Sequence, residues 1–600
     1  TGRATFRCLL TGDTIKDDYI KAQGKAGRIG ERLVAIVADT GRGRVYLPAT
    51  EEHETIAKQA EPGWRPDVHL AYDPIAVKTP LWGLTILSDH FTPRQLTAMV
   101  TLSDLVREVR VEVRRDATAA GLSDVEVQEY TTAIVTFLAL TLNRCADLGN
   151  SLCTWNHVDQ VLRNLFKRQA IPMVWDFAEA NVLGDVVGGW PTCIDRTAKC
   201  IETMVIAQKG HARSIDAARP WDTLKNVLVS TDPPYYDNIG YAALSDFFYV
   251  WLRRTIGDLY PDLFATILVP KEPELVAASE RFDGDRHAAK EHFEHGFQRA
   301  FAQLRETMDP RFPLTVYYAF KQDDEESGAA EEAEQTKDKR VDRTTGWETM
   351  LEALIGTGFQ ITATWPVRAS QRWRMLSMGT NALASYIVLA CRPRPENAPQ
   401  TDRRGLMAEL KRELPAAIKR LQQGNIAPVD FAQAAIGPGM AVFSRYSQVL
   451  EPDGRKMTVR TALALINQVL TEVLAEQEDE FDNATRWAIA WYEQHGFDEG
   501  EFGEAELLSK AKVTTLSGLE QAGIVRARGG RVRLLRPEEL DRSWDPERDK
   551  APTVWGATHQ LLRVYYHENA GEEATARLVA KLGGRAEMAR DLAYRLFRIS

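Results

Sequence analysis

The stretch from 226 to 254, "NVLVSTDPPYYDNIGYAALSDFFYVWLRR", constrains the fold more than any other part of the chain. Its β-branched start predicts a buried strand over 226–230, and "AALSDFFYVWLRRTI" predicts a helix after it. Between them stands Asp232-Pro233-Pro234-Tyr235, a stiff turn because each proline fixes φ near about −65° and lacks an N–H. A strand, a stiff turn and a helix in succession are typical of an α/β sheet.

The neighbouring segments continue this alternation over about 200–395. The next predicted helix has one apolar face, formed by Phe293, Phe297, Phe301 and Leu304. "PLTVYYAF" predicts a buried strand, and the acidic stretch at 323–340 predicts a solvated loop. "WETMLEALIGTGF" predicts a helix closed by glycine, and "QITATWPV" and "ASYIVLACR" predict two strands with an Arg-rich connection. This order of elements indicates an α/β layer.

Helical patterns dominate the rest of the chain. In "FTPRQLTAMVTLSDLVREVR", Thr92 can cap a helix and Pro93 suits its first turn. Helices are predicted from there to about Phe166, and again from about 400 onward.

One C-terminal segment differs from its helical surroundings. In "EAELLSKAKVTTLSGLEQAGIVRARGGRVRLLRPEEL", two short helices and two strands across a Gly-Gly turn suit a winged-helix module. The arginines that would decorate its wing are Arg526, Arg528, Arg531, Arg533 and Arg536. A solvated charged hairpin explains the same residues equally well.

Cysteine usage and charge limit the classes of protein to which the chain can belong. Its six cysteines form no Cys-x-x-Cys pair, which argues against a disulfide framework and a complete zinc site. We therefore expect no bound metal and a reducing, cytoplasmic compartment. The formal charge of −10 argues against attraction to nucleic acid over the whole surface but leaves room for local basic patches. The longest apolar stretch, "AIVTFLALTL", is about half of a membrane span, so no membrane partner is expected.

Asp-Pro-Pro-Tyr at the end of a strand has the parts needed to hold a nucleobase amino group. Ligands of open α/β sheets bind beyond the carboxyl ends of the strands. There the Asp232 carboxylate and a backbone carbonyl before or between Pro233 and Pro234 can accept the two amino hydrogens. The prolines hold these carbonyls rigid, and Tyr235 offers a ring for stacking. Two acceptors on an exocyclic NH2 favour a pyramidal nitrogen whose lone pair can attack a methyl donor, and the base must be flipped out of the duplex.

The segment "STDPPYYDNIGYAALSDFFYVWLRR" resembles the amino-methyltransferase signature of the large adenine-specific DNA methylases that carry a zinc ribbon. The resemblance extends to "FTPRQLTAMVTLSDLV", "SLCTWNHVDQVLRNLFKRQAIPMVWDFAEANVLGD" and "TVYYAFK", and covers most of the chain up to about 400. It implies a class I, Rossmann-like methyltransferase sheet with large helical insertions. It also implies S-adenosylmethionine as donor and N6 of adenine in DNA as acceptor. The large C-terminal extension and possible winged helix favour double-stranded DNA. Relatives are often associated with phage defence beside ATPase or helicase subunits, so such a partner is expected.

Carried over by position, the resemblance assigns roles to particular residues. Asp232 and Pro233 would hold the target amino group, and Tyr235 would stack on the flipped base. Asp216 and Asp232 would contact the donor, although a turn-capping role explains Asp216 nearly as well. The residues that would contact DNA are Tyr236, Asn238, Tyr241, Arg368, Arg372 and Arg374. Aromatic packing explains these tyrosines as well, and an ordinary exposed loop explains the arginines almost as often.

Two parts of the family pattern are missing from the sequence. No Asp-x-Phe-x-Gly-x-Gly turn is present, because "TGRGR" and "IGPGM" lack the acidic residue and "LIGTGF" precedes a strand instead of following one. Cys8 stands at the position of a last zinc knuckle, but Thr11 replaces its partner cysteine. The chain also starts at Thr1 without Met, and its last segment reads as a helix without a stop signal. We therefore expect an incomplete donor half, completed by an N-terminal fragment or by another chain.

Together the patterns predict five segments. They are a zinc-ribbon remnant or linker (1–90), a helical segment (91–200), a methyltransferase half (201–395), a helical region (396–490), and a winged-helix and helical region for DNA or partner binding (491–600).

Other functions stay open at this point. N4 of cytosine is an alternative acceptor, because the same grip serves either amino group. Methylation of RNA or of a glutamine amide is a more distant alternative. A DNA-binding or scaffolding subunit with a relic pocket is the non-enzymatic alternative, and the missing glycine-rich turn favours it.

Overall fold

The computed structural model describes most of the chain in two compact units. The described ranges are 6–41, 43–70, 72–73, 76–204, 210–221, 224–234, 240–318, 346–368, 385–423, 428–478, 480–549, 551–567 and 571–599. Unit 1 comprises Thr1–Asp216 and Tyr236–Phe293, and unit 2 comprises Ala217–Tyr235 and Glu294–Ser600.

Helices make up most of the regular structure. The α-helices are α1 (Asp17–Lys25), α2 (Glu51–Ala57), α3 (Pro93–Ala119), α4 (Asp124–Leu148), α5 (Trp190–Thr203), α6 (Tyr241–Ile256), α7 (Arg286–Thr307), α8 (Gly346–Gly356), α9 (Arg403–Gln423), α10 (Pro428–Ser444), α11 (Val459–Glu478), α12 (Asn483–His495), α13 (Phe502–Ala511), α14 (Leu516–Gln521), α15 (Val554–His567), α16 (Gly571–Leu582) and α17 (Gly584–Ile599).

The strands are short except for one hairpin. They are β1 (Phe6–Arg7), β2 (Thr14–Ile15), β3 (Ala35–Asp39), β4 (Arg44–Pro48), β5 (Thr154–Asn156), β6 (Val161–Arg163), β7 (Ser230–Thr231), β8 (Leu314–Tyr318), β9 (Phe359–Arg368), β10 (Ser385–Pro393), β11 (Gln400–Asp402), β12 (Gln448–Leu450), β13 (Gly500–Glu501), β14 (Val525–Arg528) and β15 (Arg531–Leu534). The predicted mixed α/β class is confirmed.

Unit 1 is built on the packing of α3, α4 and α6 against one another. At its centre Trp251 is fully buried and makes edge-on ring contacts with Trp64 and Phe91, at centroid distances of 5.7 and 5.6 Å. Such aromatic pairs contribute about 0.5–1.5 kcal/mol each beyond the area that they bury. This core fixes α6, the helix that follows the Asp-Pro-Pro-Tyr segment.

The predicted start of the first long helix is confirmed, but the helical region that it opens ends earlier than predicted. The Thr92 hydroxyl accepts a hydrogen bond from the backbone N–H of Gln95 at 3.2 Å and caps α3. Helical structure was predicted to about Phe166, but α4 ends at Leu148. After the end of α4, the buried Asn150 amide donates to the Ala146 carbonyl at 2.8 Å. β5 and β6 follow as a hairpin.

Unit 2 contains a four-stranded sheet with the order β7-β8-β10-β9. β7 runs parallel to β8, and β10 is antiparallel to both of its neighbours. β9 and β10 are the predicted pair of strands, and α8 is the predicted helix closed by glycine. Within the described ranges no further strand joins this sheet, so the complete Rossmann-like methyltransferase sheet expected from the resemblance is not part of the described fold.

The strand predicted over 226–230 is shorter and less buried than expected. Ladder pairing is confined to Ser230 and Thr231, with an isolated bridge from Val227 to Met308. Leu228 is 69% exposed. β7 is one of the two edge strands of the described sheet, and an edge strand is covered on fewer sides than a central one.

The apolar face predicted for the helix before β8 is confirmed in α7. Its four members are buried: Phe293, Phe297, Phe301 and Leu304. The acidic stretch at 323–340 lies outside the described residues.

The C-terminal part of unit 2 combines α12 to α14 with a three-stranded antiparallel sheet, β13-β15-β14. Trp487 and Trp491 stack at 5.2 Å in its core and are fully buried. Gly529 and Gly530, both with positive φ, turn β14 into β15 as the Gly-Gly pair predicts. Two helices followed by this hairpin is the order expected from the sequence.

Among the helices of the described ranges, none is both long and apolar enough to cross a membrane.

Candidate target-base site

Asp232, Pro233 and Pro234 follow directly on β7, at its carboxyl end. The pairing of β7 with β8 is fixed by the register Ser230 to Thr315 and by a bond from the Thr315 N–H to the Val229 carbonyl at 3.0 Å. The carboxyl ends of parallel strands are where ligands of α/β sheets bind. The segment therefore occupies the predicted position in its sheet.

The Asp232 side chain lies at the surface of unit 2. Its residue is exposed, whereas Pro233 and Pro234 are half-buried. An exposed carboxylate next to backbone that two prolines stiffen can meet a ligand that approaches from outside.

The helix after the segment has a defined start in unit 1. Tyr241 is its first residue and is 48% exposed. The Ala242 N–H donates to Oε1 of Glu274 at 2.9 Å, and the Arg281 guanidinium donates to Oε2 of Glu274 at 2.6 Å. An acceptor at a helix N-terminus satisfies one of the N–H groups left without an intrahelical partner. Glu274 and Arg281 thus fix the residue at which α6 begins.

A second ion pair lies one turn further along α6. The Asp246 side chain is 3% exposed and pairs with the Lys271 ammonium at 2.7 Å. It also accepts the Val269 N–H at 2.9 Å. Burial raises the pKa of Asp246 above its usual range, and the Lys271 charge opposes that rise.

These two ion pairs, which hold α6, were not predicted from the sequence. Their four members are Glu274, Arg281, Asp246 and Lys271. The acidic and basic residues of "VPKEPELVAASERF" are a weak signal for these pairs, because nothing in the spacing links them to α6.

Some of the remaining predicted site residues lie within the ranges that the structure describes, and others lie outside them. Asp216 is half-buried in unit 1, in a segment without helix or strand. Arg368 ends β9, where its backbone lies opposite Ser385 of β10. Tyr241 and Asp216 belong to unit 1, and Asp232 belongs to unit 2. The predicted residues outside the described ranges are Tyr235, Tyr236, Asn238, Arg372 and Arg374.

The three glycine-containing segments considered for donor binding all have structural roles. In "TGRGR" the Thr40 N–H donates to the Gly43 carbonyl at 3.0 Å between β3 and β4, and in "LIGTGF" Gly358, at φ +86°, leads from α8 into β9. "IGPGM" lies inside α10, where a Cβ on Gly437 would stand 2.1 Å from Oγ1 of Thr364 in β9. The described residues therefore do not form a complete cradle for S-adenosylmethionine, and Asp216 and Asp232 are the predicted contacts that they offer.

The region around Cys8 forms a small knuckle. β1 pairs with β2, and the Gly12 N–H donates to the Cys8 carbonyl at 2.8 Å. A hydrogen bond from Thr11 lowers the pKa of the Cys8 thiol. No group of three or more metal-binding side chains occurs among the described residues.

The predicted wing arginines do not all face solvent. Arg526 and Arg533 pair with Glu539 at 3.2 and 2.7 Å, and Arg536 lies over the Phe497 ring at 5.4 Å. Arg528 and Arg531, opposite each other at the Gly-Gly turn, are exposed. All five lie on or next to the β14–β15 hairpin, and Glu539 and Phe497 engage three of them.

Comparisons with known proteins add one finding. Residues 482–600, from the start of α12 to the end of the chain, match the model of a domain of unknown function, DUF8807. No curated protein and no solved structure gives a significant match. The matched domain contains the helix and hairpin arrangement around Trp487 and the three helices that follow it.

Proposed function

We propose that this chain is the target-base half of an S-adenosylmethionine-dependent DNA methyltransferase that acts on N6 of adenine. The observation that carries the proposal is the position of Asp232-Pro233-Pro234 directly beyond the carboxyl end of β7, in a strand parallel to β8. The exposure of Asp232 supports it, because a flipped base must reach the carboxylate from solvent.

The chemistry follows from two acceptors. The Asp232 carboxylate takes one hydrogen of the adenine amino group, and the Pro233 carbonyl takes the other. This grip localises the nitrogen lone pair and stabilises the positive charge that develops during alkylation. The role of Asp232 is orientation and charge stabilisation, with proton loss following transfer.

The donor and the partners belong to the same proposal. S-adenosylmethionine would supply the methyl group, and an N-terminal fragment or another chain would complete the donor half. Double-stranded DNA is the proposed substrate, and an ATPase or helicase subunit of a phage-defence system is the proposed partner. The order of α12 to α14 and the β14–β15 hairpin supports a winged-helix module in residues 491–600.

A DNA-binding or scaffolding subunit is the second candidate. The structural use of Gly437 and Gly358 favours it, because both glycine segments are occupied in packing and chain reversal. N4 of cytosine is the alternative acceptor for an enzyme of the same type.

The test is to identify the product. The purified chain, and the assembly that it forms in its native cell, would be incubated with unmethylated bacterial genomic DNA and S-adenosylmethionine that carries a deuterated methyl group. Mass spectrometry of the nucleosides should detect deuterated N6-methyladenine, and the Asp232→Ala protein should form none. Deuterated N4-methylcytosine instead would identify cytosine as the acceptor base. If neither preparation forms a labelled nucleoside, the methyltransferase proposal is overturned and the scaffolding subunit is favoured.

A further inference from the structure

Three cationic side chains are gathered at the β5–β6 hairpin of unit 1. Arg163 ends β6 opposite Thr154 of β5, and Lys167 and Arg168 follow within five residues. All three residues are exposed. We refer to Arg163, Lys167 and Arg168 as the hairpin cations.

Neutral groups accept hydrogen bonds from two of the hairpin cations. The Lys167 ammonium donates to Oγ1 of Thr154 at 3.0 Å, and Nη2 of Arg163 donates to Oδ1 of Asn156 at 2.8 Å. Three other exposed cations of unit 1 differ in this respect. Lys58, Arg115 and Lys199 each pair with a carboxylate.

The hairpin cations also repel one another. Partial burial lowers the pKa of Lys167, and the charges of Arg163 and Arg168 lower it further. Asp176 opposes this effect, and the nearby Asp159 carboxylate is engaged by the Asn156 amide. Repulsion between these like charges costs free energy, which an anionic ligand would offset.

The base under the hairpin cations is rigid. Leu165 is 1% exposed, and the Phe166 N–H and the Asn164 amide both donate to the Asp147 carboxylate at 2.9 Å. Asp147 is itself nearly buried and pairs with Arg144 at 2.6 Å. A fixed backbone holds the three charges at defined positions on the surface.

We propose that Arg163, Lys167 and Arg168 bind backbone phosphates of duplex DNA. An extended polyanion fits three separate, exposed charges on a fixed surface, and neutral hydrogen-bond partners leave those charges available to phosphates. The inference rests on the proposed function, in which DNA is the substrate, and it gives the chain a sequence-independent contact that holds the duplex near the enzyme.

The salt dependence of binding tests this contact. The affinity of the full chain for a duplex of about 30 base pairs would be measured at salt concentrations from about 50 to about 200 mM. Counterion release changes the affinity measurably over this range. The variant carrying Arg163→Gln, Lys167→Gln and Arg168→Gln should lower the steepness of log K against log salt by about 2–3, since each phosphate contact contributes about 0.9. The loss should be similar for unrelated DNA sequences.

A matched control removes the same charge elsewhere on unit 1. The protein with Lys58→Gln, Arg115→Gln and Lys199→Gln should keep the wild-type salt slope. Thermal unfolding of both variants establishes that they fold. In the hairpin variant, glutamine keeps an amide donor for Thr154 and Asn156. An unchanged slope in the hairpin variant, or no DNA binding by the wild-type chain, would overturn the inference.

The same samples separate this inference from the proposed function. Labelled N6-methyladenine formed by a protein whose salt slope does not depend on the hairpin cations would refute the inference alone. A salt slope that depends on the hairpin cations, without any labelled nucleoside, would refute the methyltransferase proposal alone.

Discussion

The Glu274 carboxylate accepts the Ala242 backbone N–H at 2.9 Å, although the two residues are 32 positions apart. The Arg281 guanidinium holds the same carboxylate from its other oxygen at 2.6 Å. A residue distant in sequence thus determines where the helix after Asp-Pro-Pro-Tyr begins.

Glu274→Ala is therefore expected to loosen the start of α6. Loss of the acceptor and of the Arg281 pair should lower the local opening free energy by about 1–2 kcal/mol, which raises amide hydrogen exchange about 5- to 30-fold. Exchange mass spectrometry of peptides over 240–246 measures this. Glu272→Ala, an exposed neighbour, is the matched control and should leave exchange unchanged. Equal protection in both variants would show that Glu274 does not fix this helix start.

His90 should make unit 1 sensitive to mild acid. The ring is fully buried, its Nε2 lies 2.8 Å from the Thr79 hydroxyl, and burial lowers its pKa from 6.5 to about 4. The unfolded chain therefore binds a proton more readily than the folded one, so stability is full above pH 6.5 and falls as the pH drops to 4, by up to about 3 kcal/mol.

Thermal unfolding at pH 7 and pH 5 measures this effect. The wild type should lose more stability than His90→Gln between the two values, because glutamine does not titrate. Equal losses would mean that His90 is not the responsible group. His559 in unit 2, whose pKa burial also lowers to about 4, is present in both proteins and cancels in the comparison.

The pairing of Glu539 should make the β14–β15 hairpin sensitive to stronger acid. Hydrogen bonds from Arg533 and from the Arg536 backbone lower the pKa of Glu539 to about 2. The stabilisation is therefore present above a pH of about 4.3, the ordinary glutamate value, and is lost as the pH falls through 2. After solvent screening it is worth about 1 kcal/mol.

Tryptophan emission during thermal unfolding at pH 6, 4 and 3 checks this prediction. Wild type should exceed Glu539→Gln in stability at pH 6, and the difference should shrink towards pH 3. A gap that does not change with pH would argue against an ionised Glu539 as the anchor of Arg533.

Gly437 is predicted to be required for the contact between α10 and β9. An added Cβ would overlap Thr364 at 2.1 Å, so Gly437→Ala should cost about 1–3 kcal/mol through overpacking. Denaturant unfolding measures the loss. Gly356→Ala in the same unit meets nothing within 4 Å and should be neutral or slightly stabilising, and a similar loss in both variants would contradict the packing role.

Local signals in the sequence predicted those elements whose causes are local. Thr92 caps a helix through the N–H three residues on, and the Gly529-Gly530 pair sets the turn of its hairpin. The antiparallel pairing of β9 with β10 follows from two strand-forming segments.

Features that depend on distant partners were not predictable from the sequence. The apolar residues of "NVLVS" could not show that β7 is an edge strand of the described sheet, with Leu228 69% exposed. The charge pattern of the wing could not show that Glu539 engages Arg526 and Arg533. Likewise, no spacing connects Glu274 with Ala242, because their contact depends on the folded path of the intervening chain.

The rate of methyl transfer by Asp232 variants tests the central proposal most directly. Single-turnover transfer to duplex DNA would be compared in the native assembly for wild type, Asp232→Asn and Asp232→Ala. Loss of an acceptor that stabilises developing charge should lower the rate at least about 100-fold in Asp232→Ala, and less in Asp232→Asn, which keeps a carbonyl oxygen. A wild-type rate of N6-methyladenine formation in the folded Asp232→Ala protein would contradict the proposed role of Asp232.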